Sequence, residues 1–199
     1  MPVISFEHNN FPEWAEVRSC RMTHIQTRCK IERTDDHSRE IWIVVSGSAD
    51  IKLHSAFRTV NTGDVIEINT KHITVSPLGH SGINFLQIEG LWSDERGSCG
   101  LFSLTNSSNP VNTGDRTDYL RNTVFDNHFH DCDEYWFILR GEGEVMSEGV
   151  HYHVKAGDCV ITRVGDHHDF PIVEKEILGV WFEGNLTGLK RIGHLYHET

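Results

Sequence analysis

The chain of 199 residues carries 18 Lys and Arg against 29 Asp and Glu, a net charge of −11, with 38% apolar residues. That length allows one larger β domain or two small ones with a core each, and the acidic balance argues against a nucleic-acid backbone or an anionic membrane as the main partner. No apolar run is long enough to cross a membrane as a helix, and Met1-Pro2-Val3-Ile4-Ser5-Phe6-Glu7 lacks the basic and apolar regions of a signal peptide, so a cytoplasmic location is expected.

Residues 1–20 form an arm in which Phe11, Trp14 and Val17 recur at helix-like spacing, enough for one turn packed on a β domain. From Met22 the pattern turns to β, with short β-branched or aromatic runs over residues 23–31, 40–45, 49–53, 64–68 and 83–88. Ser46-Gly47-Ser48, Asn61-Thr62-Gly63-Asp64 and Ser76-Pro77-Leu78-Gly79 between them are turn chemistry. Residues 93–115 are polar and rich in turn formers, and are expected to connect a first domain, 1–92, to a second, 116–199. The five cysteines, Cys20, Cys29, Cys99, Cys132 and Cys159, are odd in number and form no Cys-x-x-Cys, so reduced thiols are expected.

The second domain holds the chemistry. In His128-Phe129-His130-Asp131-Cys132-Asp133-Glu134, two histidines one residue apart and a glutamate four beyond the second can face one side of extended chain, because strand side chains alternate. A fourth ligand lies in Gly165-Asp166-His167-His168, after the strand-like run 158–162, with His168 and His167 both in reach. Imidazole and carboxylate together suit one divalent transition metal, Fe, Mn, Zn, Ni or Co. Cys132 falls on the opposite strand face.

The two halves repeat. In one constant register Glu40 falls on Glu134, Trp42 on Trp136, Gly47 on Gly141, Gly63-Asp64 on Gly157-Asp158, Pro77 on Pro171 and Glu89-Gly90 on Glu183-Gly184. His128, His130 and His168 then fall on Thr34, Asp36 and Thr74, so the first copy lacks the histidine ligands, although His37 and His72 lie close by. Turn glycines and Trp recur as scaffold. The histidines occur in one copy alone, which points to function.

With these motifs the sequence resembles the cupin superfamily over nearly its whole length, as a bicupin. His128, His130, Glu134 and Gly141 match the family's first motif, and Gly157 and His168 its second, with Arg163 at the usual Pro and the final Asn missing. Arg39-Glu40-Ile41-Trp42-Ile43-Val44-Val45-Ser46-Gly47-Ser48-Ala49 and Thr70-Lys71-His72 are similar to the small barrel of phosphomannose isomerases and their bifunctional guanylyltransferase relatives. The resemblance implies an all-β fold of two tandem double-stranded β-helix (jelly-roll) barrels, with metal at His128, His130, Glu134 and His168.

Such a site leaves open positions for a small-molecule substrate. The expected function is a metal-dependent enzyme, with sugar or sugar-phosphate isomerisation or epimerisation leading, Fe(II)-dependent dioxygenation second, and a sugar- or acid-binding module without turnover third. Asp166 and Asp169 are expected to orient the last ligand or act as base, Arg163 to clamp a carboxylate or phosphate, Trp136 and Ile138 to wall the site, and His151 and His153 to reach its mouth. The tail from Asn185 onward carries aromatics and is expected to pack on a barrel or on a second subunit of a homodimer.

Overall fold

The computed structural model describes residues 2–33 and 38–188, so Thr34, Asp36, His37 and the tail beyond Gly188 lie outside it. The described chain is all-β: β1 (Val3–Ser5), β2 (Val17–Ile25), β3 (Cys29–Glu32), β4 (Arg39–Ser46), β5 (Ser48–Leu53), β6 (Ala56–Asn61), β7 (Val65–Ile68), β8 (His72–Pro77) and β9 (Ile83–Gly90), then β10 (Cys99–Leu104), β11 (Glu134–Ser147), β12 (Val150–Lys155), β13 (Asp158–Thr162) and β14 (His168–Glu183). One 3₁₀ turn, Phe6–His8, follows β1. Among the described residues no helix is long and apolar enough to cross a membrane.

Of the described residues, those within 11–92 make one compact unit and 2–10 with 93–188 another. In the first, two four-stranded antiparallel sheets, β2-β9-β4-β7 and β3-β8-β5-β6, share one core. Trp42, Val44, Ile66 and Phe85 enter it from one sheet, Ala49, Ile51, Ile73 and Val75 from the other. These are the inward positions of alternating strands, and burying each large apolar side chain contributes about 1.5–3 kcal/mol before the ordering cost.

The second unit is built on β11 and β14, of 14 and 16 residues, which pair from Glu134↔Glu183 to Ser147↔His168. Register shifts between Ile138 and Met146 bend the pair, as extra residues in one strand do. Gly141 (φ 96°) sits in that bend, where a Cβ would meet the Glu176 carbonyl at 2.1 Å. Trp136, Ile138, Val145, Val160, Phe170 and Ile177 fill the core beneath.

The sequence expectations need three corrections. Phe11, Trp14 and Val17 form no helix; Val17 opens β2, and Pro12 caps only a turn through its carbonyl to Ala15 N (3.0 Å). The arm does not belong with residues 11–92, because β1 pairs with β13 (Val3↔Val160). Nor is 93–115 a plain connection, since it contains β10, the strand that lines the far side of β14 (Cys99↔Phe182).

Candidate metal centre

His128 and His130 lie on the extended segment before β11, and Glu134 and His168 are the first residues of β11 and β14. An isolated bridge locks the segment to β14, with His128 N donating to His168 O (3.1 Å) and His168 N to His128 O (2.8 Å). The loop from His130 to Glu134 is pinned by backbone donors: Gly165 N to His130 O, Thr187 N to Asp131 O and Gly184 N to Asp133 O, at 2.8–3.0 Å. Backbone pairing of this kind holds side chains on rigid elements.

The four side chains are all buried and their donor atoms lie within 4.8 Å of one another. His128 Nε2 is 3.0 Å from His130 Nε2, His130 Nε2 3.2 Å from Glu134 Oε2, and His168 Nε2 2.9 Å from the same oxygen. Donors at about 2.0–2.2 Å around one cation lie about 3 Å apart, which is this spacing. His128 Nδ1 donates to Asp126 O (2.7 Å) and His168 Nδ1 to Asp166 O (2.8 Å), so in both rings the Nε2 lone pair is the one turned inward.

The electrostatics agree. Burial, and after it the neighbouring His168 ring, push His128 down to about 3, so its imidazole is neutral. Burial alone would raise the Glu134 carboxyl, but the His130 and His168 nitrogens against it hold it well below the usual carboxylate range. Glu134 Oε2 and His168 Nε2 are cut off from solvent and lack a hydrogen bond of good geometry despite their proximity. A buried carboxylate facing inward-turned imidazole lone pairs is a donor set for a cation, and the residues present fit one.

Above the cluster opens a cavity of about 310 Å³, with His128 and Glu134 at its floor. Its walls are Phe102, Phe125, Trp136 and Trp181, and its remaining polar groups are Ser98 and Glu183. Trp136 stands edge-on to His168 (5.3 Å) and Phe125 edge-on to Trp136 (5.1 Å). Glu183 is paired with Glu134 across the ladder, and Ser98 holds its Oε2 through N–H (2.6 Å) and Oγ (3.0 Å).

Of the expected residues, Trp136 walls the cavity while Ile138 lies in the core. His168 joins the cluster; His167 instead pairs with Asp115 Oδ2 (2.9 Å) at a half-exposed position. The expected trio Asp166, Asp169 and Arg163 does not line the cavity. Asp166 contributes its carbonyl to His168 and accepts from Arg163 N (3.4 Å) within a turn, and Arg163 itself is exposed. Asp169, one residue from His168, faces the other side of β14, where Tyr119 Oη (2.8 Å) and Arg121 Nη2 (3.1 Å) donate to it. His151 and His153 pair with Glu144 and Glu142 away from the cavity. Glu183, Ser98, Phe102, Phe125 and Trp181 were missed; for Glu183, antiparallel pairing of the repeated Glu-Gly with the motif glutamate was the available signal.

The first unit answers the same problem differently. Leu53 faces Ile73 where Ser147 faces His168, and Ile31 faces Ile73 where His128 faces His168. The ladder counterparts of His128 and His168 are therefore Ile31 and Ile73, not the expected Thr34 and Thr74, and the place of His130, two residues on, falls to Arg33. The sequence register slips ahead of Glu40 because the chain from Arg33 to Glu40 is longer than that from His130 to Glu134, and at β8 because the turn from Ile68 to Ile73 is one residue shorter than that from Thr162 to His168. Arg33 Nε lies 2.8 Å from Glu40 Oε2, and Trp42 Nε1 donates to Glu40 Oε1 (2.6 Å). His72 is exposed.

A family model described as a cupin domain matches residues 117–182. The uncharacterized protein y4oW of Sinorhizobium fredii is 34% identical over 158 residues, 79% of this chain and 73% of that protein. Among solved structures, the Lactobacillus farciminis oxalate decarboxylase formate complex aligns with a TM-score of 0.57 at 9% identity, over 92% of this chain and 86% of that one. A mutant salicylate 1,2-dioxygenase from Pseudoaminobacter salicylatoxidans aligns at 0.52 and 8%, over 83% and 69%. The chain matches the cupin domain model over residues 117–182, and its fold is like that of these solved structures.

Proposed function

We propose that the chain is a bicupin whose second barrel is a metal-dependent enzyme acting on a small molecule, with one divalent transition metal held by His128, His130, Glu134 and His168. The observation that carries this is the convergence of three imidazole nitrogens and one carboxylate oxygen, all buried, at the floor of the cavity. The repeated ladders, Glu40↔Glu89 beside Glu134↔Glu183, support two copies of one barrel. A bound metal would supply Lewis acidity and, if redox-active, a place for O₂. Phe102, Phe125, Trp136 and Trp181 keep water from the substrate side and offer flat apolar contact, while among the described residues neither Lys nor Arg lines the wall.

That wall favours oxygen-dependent oxidation of an apolar chelating substrate over the sugar-phosphate isomerisation that the first half's likeness suggests. One solved neighbour bears a dioxygenase's name, but that likeness is one of fold, so the reaction rests on the wall. Isomerisation of an uncharged sugar is the second reading, favoured by Glu183, a second carboxylate beside the metal position able to move a proton. A cytoplasmic setting fits the five cysteines, none of which is disulfide-bonded. The deciding experiment is elemental analysis of untagged protein, followed by oxygen uptake with a panel of phenols and diols and by isomerase assays on neutral sugars. Substrate-dependent O₂ consumption supports the first reading and isomerase turnover the second. Bound metal without turnover leaves a binding module, and protein that takes up no metal overturns the proposal.

A further inference from the structure

Resting on that metal reading, we infer that the cavity selects uncharged substrates with a flat apolar face and a chelating pair of oxygens, and that Glu183 is the residue that excludes anions. Three observations meet here. The walls facing the cavity are aromatic, so they reward ring or ring-like faces rather than phosphate or carboxylate. Within the same walls stands a second carboxylate, Glu183, only 2% exposed and fixed by two donors from Ser98. Gly97 is packed so closely on Glu183 that a Cβ would lie 2.3 Å from its Oε2, so the Gly97-Ser98 backbone forms a seat fitted to that side chain.

Charge balance explains what the seat is for. With neutral imidazoles, a divalent cation on Glu134 alone leaves the floor with one net positive charge, which would draw anions. Glu183 cancels it. An anionic group entering the cavity then meets no net attraction and must give up its hydration among aromatic walls, which disfavours it. Trp181 shares the device, since its Nε1 donates to the same Ser98 Oγ (3.2 Å) that holds Glu183.

The test uses the full chain loaded with Zn²⁺, a redox-silent ion, and two probes with the same chelating oxygens, 4-methylcatechol and 3,4-dihydroxybenzoate. Quenching of tryptophan fluorescence reads binding, after metal content has been measured. The neutral probe is expected to bind at least about tenfold more tightly than the acid. In Glu183→Gln, which keeps the acceptor for Ser98, the gap closes to less than about threefold through a gain for the acid. Trp181→Ala weakens the neutral probe and serves if Glu183→Gln does not fold. Equal or tighter binding of the acid by wild type, failure of both probes to bind metal-loaded protein, or an unchanged ratio in a folded Glu183→Gln each overturns the inference. Protein without metal overturns the functional reading beneath it instead.

Discussion

At the scale of single residues, Glu134 and Glu40 show one buried carboxylate in two settings. The first faces three imidazoles, the second a guanidinium and an indole. His130→Ala is expected to abolish metal uptake while leaving the far-ultraviolet circular dichroism spectrum in place, since Glu134, His128 and His168 sit on backbone pairs that do not depend on that ring; full metal content in this variant would break the ligand assignment. Arg33→Ala is expected to destabilise the first unit by about 3 kcal/mol, read by urea denaturation, because it strands the buried Glu40 charge. The clustering of His128, His130, Glu134 and His168 was legible in the sequence because strand alternation and a short spacing decide most of it locally. His167 against His168 was not, since a turn sets its own phase, and Asp169 was misjudged although alternation alone places it opposite its neighbour. Phe102, Phe125 and Trp181 come from distant segments, and no spacing along the chain could bring them to the motif.

At the scale of elements, β14 does most to build the site: it supplies His168 at one end, Glu183 at the other and Trp181 between them. Its neighbour β10 carries Phe102, and the turn before it carries Gly97 and Ser98. Gly97→Ala is expected to push Glu183 from its seat and alter binding of a neutral catechol while leaving metal stoichiometry unchanged, as measured by fluorescence and elemental analysis on the same sample. Gly141→Ala is expected to cost about 2 kcal/mol or more in urea denaturation, because a side chain there must be held at φ 96° and also meets the Glu176 carbonyl. Most strands of both units announced themselves by apolar alternation between turn residues. β10 did not: its polar, turn-rich flanks masked a six-residue run whose partner lies far along the chain. β1 was hidden for a similar reason, being three residues long and paired with β13.

At the scale of the molecule, the sequence repeat became a repeat of ladders, with Trp42↔Ile66 matching Trp136↔Val160. The constant register holds from β4 through β7 and fails around β8, where the turn from Ile68 to Ile73 is one residue shorter than that from Thr162 to His168 and moves the counterpart of His168 from Thr74 to Ile73. One metal per chain is the expected stoichiometry by elemental analysis, and two would break the account of the first unit. There the salt link between Arg33 and Glu40 has a consequence of its own. A guanidinium is a cation that cannot be chelated, exchanged or starved away, and it stays charged across physiological pH. The half that contains it can complete its polar interior as soon as the chain folds, whatever the metal supply, whereas on the proposed reading the other half completes its own only when a metal arrives.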